Sequence, residues 1–222
     1  MIEKKFVEEK KQEFDIKEFI RKKIGKGKVS DVKIERTPIG EKIIIHTVKP
    51  GLVIGKGGEI IQEINKSLKL KFNLENPQVE VAEILEPEFD AQAVADNIAM
   101  ALENLGPLSF KLIAYREIER MVRAGALGAE IRLSGRLPSE RAKSWRFAFG
   151  YLKKTGETTN IVNKAKAVAF TQPGTVGVKV YIVPKNVKLS DKIYLNYERI
   201  EQELKEKINK ETEEIKHGNN KE

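Results

Sequence analysis

The sequence has no cysteine. That excludes disulfides, thiolate nucleophiles and Cys-ligated zinc. Histidine is nearly absent too: His46 and His217 leave little for a histidine-based site. No H-E-x-x-H pattern or cluster of metal-ligand spacings occurs, and a Ser-His-Asp arrangement would need chance proximity. No apolar run approaches the roughly 18 residues that a membrane span needs. The first residues, MIEKKFVEEKKQEF, are charged from the third position and lack an apolar core, so no secretory signal is expected there. Aromatic residues make up 7% of the chain and tryptophan occurs once. These absences argue against a secreted scaffold, a membrane protein and a redox enzyme. They point to a soluble intracellular protein; no catalytic constellation emerges, and no enzymatic activity, cofactor, metal or small-molecule substrate is expected.

Positive charge is plentiful. Lys plus Arg number 41 against 33 Asp plus Glu, a net charge of +8. The last 26 residues, from Tyr197, hold six basic and eight acidic side chains, which leaves +10 on the first 196. A surface of that sign attracts polyanions by Coulomb attraction and counterion release. A length of 222 residues corresponds to one or two domains.

The hydrophobic patterning gives two modules and a tail. Asp15 and Glu18 have capping-box spacing, and Ile16, Phe19, Ile20 and Ile24 follow on one helical face up to Gly25. Residues 29–36 and 42–48 read as strands joined by the turn Thr37-Pro38-Ile39-Gly40. A glycine-rich loop follows. Residues 59–70 then read as a helix and 78–85 as a strand. This first module, 1–86, comprises N-terminal helices and a unit of the order α-β-β-α-β. The second, 87–196, reads as a helix over 90–105, a helix capped by Ser109 and running to Arg123, and four strands near 129–133, 145–152, 165–171 and 176–183. The fold class is therefore α+β, the second module being two layers of two helices and a four-stranded sheet. Residues 197–222 have only a thin apolar stripe and read as a charged helical or disordered tail.

The most informative stretch is Lys49-Pro50-Gly51-Leu52-Val53-Ile54-Gly55-Lys56-Gly57-Gly58. A Walker A loop fails because Gly57 follows the lysine where a hydroxyl is required. A dinucleotide loop fails because position 60 is isoleucine. The pattern I-G-x-x-G-x-x-I between a β-branched strand and an amphipathic helix instead resembles the KH RNA-binding domain, of type II by its element order. Its GxxG loop clamps the backbone of about four nucleotides. Glycine lets the main chain approach phosphates without a Cβ in the way. Lys49, Gly55, Lys56, Gly57 and Gly58 are the candidate contacts, with Ile54, Ile60 and Ile61 as a neighbouring platform for bases.

The second module has basic surfaces of its own. Arg116, Arg120 and Arg123 are spaced to form a ridge on one side of a helix, with Glu117 and Glu119 close enough to pair with them. Ser134 to Arg146 gathers Arg136, Arg141, Lys143 and Arg146 around one loop beside Trp145, which favours phosphate contact. Trp145, Phe147, Phe149 and Tyr151 alternate and read as core and sheet face rather than stacking platforms.

Across about 15–183 the chain resembles the universal small-subunit ribosomal protein S3 family. The residues that carry this are Ile45 to Gly58, Phe89-Asp90-Ala91 with Val94-Ala95, Gly125 to Gly128, Ser134-Gly135-Arg136-Leu137 and Gly174 to Val180. The run Arg141-Ala142-Lys143-Ser144-Trp145 has the archaeal or eukaryotic-like form. The resemblance implies a type II KH domain followed by an α+β domain. It also implies binding of small-subunit ribosomal RNA in the head, next to neighbouring head proteins and near the entrance for messenger RNA. Lys111 and Arg116 match the family's cations at that entrance. Leu112 and Tyr115 stand where the bacterial form has cations, a departure from the cluster tied to strand unwinding. Two rival readings stay open at this point. One is a free-standing KH regulator of single-stranded RNA, with all its affinity in the glycine loop. The other is a lysine-based lyase or nuclease on damaged DNA, which needs a lysine held in an apolar pocket.

Overall fold

A computed structural model describes residues 2–37, 40–72, 74, 76–185, 187 and 189. The Pro38-Ile39 part of the first turn and the tail from Tyr197 lie outside the described residues. Within them the order is α1 (Ile2–Ile24), β1 (Asp31–Thr37), β2 (Gly40–Thr47), α2 (Pro50–Ile54), α3 (Glu59–Phe72), β3 (Gln78–Glu83), α4 (Ala91–Leu105), α5 (Phe110–Arg123), β4 (Gly128–Gly135), β5 (Lys143–Gly150), β6 (Asn163–Thr171) and β7 (Gly174–Val183).

The first sheet has the order β1-β2-β3. β1 and β2 are antiparallel, with Val32 opposite Ile45 and Ile34 opposite Ile43. β3 runs parallel to β2, since the α2–α3 crossover returns the chain to the same end. α1 and α3 cover one face. Ile16, Ile20 and Ile24 of α1 meet Val32, Ile43, Ile45, Ile64 and Leu68 in one core. Each such side chain contributes about 1.5–3 kcal/mol on burial.

Three sequence expectations need correction. First, α1 starts at Ile2, not at an Asp15 cap. Its first half has no apolar stripe facing the core. It is built of good helix formers and local pairs such as Lys10–Glu13, 2.7 Å apart. Second, the stretch before Gly55 is not a plain loop, because Pro50 to Ile54 wind a short helix. Proline at a first helical position lacks only an N–H that would have had no partner there. Third, Ser109 makes no side-chain cap. A 3-10 turn over Pro107–Ser109 runs directly into α5 and carries Ser109 into the helical path.

The second sheet has the order β5-β4-β7-β6, antiparallel throughout. α4 and α5 pack on its inner face, against Ile131, Leu133, Val178, Val180 and Ile182. Asp90 caps α4 by accepting from the Gln92 N–H at 3.2 Å. α5 ends in a Schellman turn. Ala126 N–H donates to the Met121 carbonyl and Gly125 N–H to that of Val122, with Gly125 at φ +90°. Gly128 permits the closest backbone approach: a Cβ there would lie 1.9 Å from the Tyr151 carbonyl oxygen.

The segment after α1 joins the two layers. Gly27 N–H donates to Asp96 of α4 at 3.1 Å. Lys26 donates to the Val168 carbonyl at 3.1 Å and reaches Glu103 at 3.3 Å. Ser30 donates to Asp90. Gly27 has φ +74°, a left-handed conformation that favours glycine, and the flexible end of Met100 lies where a Cβ would be.

Candidate nucleic-acid interface

The glycine loop lies between α2 and α3. Val53 anchors α2 in the core at 0% exposure. Gly55 N–H closes α2 on the Gly51 carbonyl at 3.1 Å. Gly55 has φ +74°, and a Cβ on it would strike Ile60 Cγ1 at 2.7 Å. This glycine is structural, since it lets the chain fold back onto the start of α3. Gly57 and Gly58 also have positive φ, +62° and +80°, but open space lies where a Cβ would be. Here the main chain is bare toward solvent and open to close approach by a phosphate. Lys49 and Lys56 are exposed on either side of this turn, and Glu59 opens α3. Leu52 and Ile54 are exposed beside it, whereas Ile60 and Ile61 are half-buried. Of the expected apolar platform, Ile54 is the exposed member.

On α5 the ridge divides. Arg120 is paired with Glu117 at 2.7 Å and Arg123 with Glu119 at 2.6 Å. Arg120 and Arg123 also line a groove of about 480 Å³ that holds Glu88 and the ion pair of Glu86 with Lys185. Arg116 is exposed and has no ion pair among the described residues. Lys111 lies over the Trp145 ring at 4.9 Å. Leu112 and Tyr115 are exposed beside these two cations.

The basic loop is pinned by Leu137, which is fully buried. Arg136 donates to the Pro173 carbonyl at 3.5 Å. Arg141 and Lys143 are exposed, without an ion pair among the described residues. Trp145 packs against Phe110 with ring centroids 5.2 Å apart and planes tilted by 55°, and Phe147 is buried against the same ring. The tryptophan belongs to the core side of the sheet, as the alternation predicts.

Arg146 is not free for a phosphate in the way the sequence implies. It reaches the carboxylate of Glu130 at 3.0 Å, as do Arg132 at 2.5 Å and Lys154 at 2.7 Å. Glu130 is fully buried. Burial pushes its carboxyl up, but hydrogen bonds from Lys154, Arg132 and Arg146 outweigh this and hold it below its ordinary value. Sequence reasoning missed Glu130, because its partners come from three separate segments.

For a lysine-based lyase the geometry is unfavourable: among the described residues no lysine is buried. Among the same residues no group of three or more His, Asp or Glu side chains could hold a metal ion.

Two family models match this architecture in order. The KH domain model covers residues 15–89, and the model of the C-terminal domain of ribosomal protein S3 covers residues 98–182. The small ribosomal subunit protein uS3 of Methanocaldococcus jannaschii is 40% identical over 196 residues, which cover 88% of this chain and 93% of that protein. The chain belongs to the ribosomal protein S3 family. The uS3 of Haloarcula marismortui is 40% identical over 190 residues, and that of Natronomonas pharaonis 39% over 202. The matched stretches amount to 62% and 65% of those two haloarchaeal S3 proteins. The family match also accounts for the KH-like glycine loop and the S3-like second sheet occurring in one chain.

Proposed function

We propose that this S3-family chain is a structural, non-enzymatic constituent of the cytoplasmic small ribosomal subunit, binding its ribosomal RNA in the head near the messenger entrance. The observation that carries this is the joining, in one chain, of a KH loop and an S3 C-terminal domain, with a uS3 relative 40% identical over 88% of the chain. Domains of 1–86 and 87–196 are part of this reading; two separate hydrophobic cores, the second beginning at Phe89, support the boundary near 86. RNA contact is assigned to Lys49, Gly55, Lys56, Gly57 and Gly58 in the first domain. In the second it is assigned to Lys111, Arg116, Arg136, Arg141 and Lys143, with a smaller share for Arg120, Arg123 and Arg146, which are paired with acids. Open space at Gly57 and Gly58 and the exposure of Arg116, Arg141 and Lys143 support these assignments. The free KH regulator lacks a supporting observation, because exposed cations occur in both domains.

Arg116 is proposed to face the messenger. The test is a photo-crosslinker at position 116 in small subunits programmed with labelled messenger. The expected result is crosslinks to both ribosomal RNA and messenger. Absence of messenger crosslinks, with ribosomal RNA still labelled, removes the entrance assignment. Absence of both contradicts RNA contact at this helix.

A further inference from the structure

The outer face of the second sheet carries a cationic row that strand register assembles. Arg146 of β5 lies opposite Arg132 of β4, Arg132 opposite Lys179 of β7, and Lys179 opposite Lys166 of β6. All four are exposed. Neighbouring strands are about 4.8 Å apart, so the row spans roughly 14 Å across the whole sheet. The residues on the opposite side of the pleat, such as Ile131 and Val180, are buried in the core. The acid among the strand residues of this outer face is Glu130, already engaged by Arg132, Arg146 and Lys154. Lys166 and Lys179 have no acid partner among the described residues. Beside the row, Arg132, Lys154, Lys164 and Tyr181 help line a cavity of about 290 Å³, large enough to admit a phosphate group.

We infer that this sheet face is a second RNA surface, distinct from the glycine loop, which reads the phosphate backbone of a double-stranded RNA segment through the row Arg146, Arg132, Lys179 and Lys166. The inference rests on the reading of the chain as an RNA-binding ribosomal protein. Charge of one sign, evenly spaced and solvent-facing, matches a regular polyanion. An acidic protein partner fits less well. Protein interfaces centre on desolvated aromatic and aliphatic anchors and are depleted in lysine. On this face the exposed apolar residues of β6 are Val168, two places along the strand from Lys166, and Phe170 near the strand's end, with Lys26 over the Phe170 ring at 4.2 Å. A single-strand reader needs an aromatic stacking platform. Tyr181 is half-buried, and Phe170, although exposed, stands near the end of β6 with Lys26 over its ring; among the described residues no row of free aromatic faces accompanies the cations, so the backbone of a duplex is the better match.

The test is binding of the full chain to a labelled 20-base-pair RNA duplex across a potassium chloride series. The variant is K166Q/K179Q, since these lysines can be neutralised without disturbing Glu130. Two phosphate contacts are worth about 1.4–1.8 units in the slope of log affinity against log salt. The expected result is a slope shallower by that amount and binding weaker by about 25- to 60-fold near 0.1 M salt. K166R/K179R keeps the charge and should bind as the unaltered chain does. Circular dichroism of the variants reports that the fold is retained. Unchanged affinity and slope in K166Q/K179Q overturn the inference, as does an unaltered chain that ignores the duplex. A polyglutamate peptide that binds tighter than the duplex, and loses its binding in K166Q/K179Q, overturns it in favour of an acidic protein. Failure on the duplex with co-sedimentation on small subunits intact overturns the sheet assignment alone. Loss of co-sedimentation overturns the reading on which it rests.

Discussion

A chain carrying K56D/G57D is expected to bind a labelled single-stranded RNA of about eight nucleotides roughly 100-fold more weakly than the unaltered chain. The two substitutions change the loop charge by three units. At contact distance in water each unit is worth about 1 kcal/mol, and 3 kcal/mol corresponds to about two orders of magnitude. Folding should survive. Lys56 is exposed, and Gly57 has open space where a Cβ would be, with a left-handed φ that aspartate tolerates better than most residues. Incorporation into small subunits should largely persist, because phosphate contacts are also proposed for the second domain's exposed cations. The two readouts separate the clamp from the scaffold. A folded variant that binds single strands normally removes the loop from RNA contact. A folded variant that binds weakly and also fails to assemble concentrates the affinity in the loop, contrary to the distribution proposed here.

Glu130→Gln is expected to destabilise the chain by about 3 kcal/mol at pH 7, lowering Tm by roughly 6–12 °C. An amide in place of the fully buried carboxylate leaves Arg132, Arg146 and Lys154 facing a neutral group. All three cations are partly hydrated, so the loss falls at the lower end for a broken buried ion cluster. The pH dependence follows from the direction of the shift. The folded carboxyl titrates below its ordinary value of 4.5. Its contribution is therefore complete well above 4.5 and is lost as the pH falls through the folded value. Urea unfolding of both chains should show a gap that is constant near neutrality and narrows below pH 4.5. A gap that is absent at pH 7, or that widens in acid, contradicts the role assigned to the cluster.

Much of the fold was legible in the sequence because burial leaves a periodic signature. The alternation Val176, Val178, Val180, Ile182 marks β7, and every second residue of it is buried. The apolar spacing of Ile16, Ile20 and Ile24 marks the core-facing half of α1, and these three are buried as well. Elements without such a signature were harder to read. The first half of α1 is helical through propensity and local ion pairs, and its apolar residues Ile2, Phe6, Val7 and Phe14 are exposed rather than packed in the core. α2 was hidden by Pro50-Gly51, which signal a turn anywhere except at a helix start.

The candidate site divides along the same line. The glycine loop is local in sequence, so its residue types predict its geometry directly. Gly55 is fixed by contact with Ile60 five residues on, and Gly57 and Gly58 by their positive φ. Charge partners are not local in the same sense. Glu117 and Glu119 were close enough in sequence to be foreseen as partners of Arg120 and Arg123. Glu130, by contrast, collects Arg146 and Lys154 only after β5 has paired with β4 and the following connection has reached the outer face. The row ending in Lys179 and Lys166 likewise exists only in the register of four strands.

The central claim is that this S3-family chain is a stoichiometric part of the small ribosomal subunit. The most direct test is sucrose-gradient sedimentation of a native extract at low and then high salt, with the chain followed by antibody. The account predicts comigration with the small subunit at near one copy per particle, persisting at high salt because contacts are spread over both domains. A chain found mostly at the top of the gradient, or stripped by modest salt, contradicts it and favours a free RNA-binding protein that acts through the glycine loop.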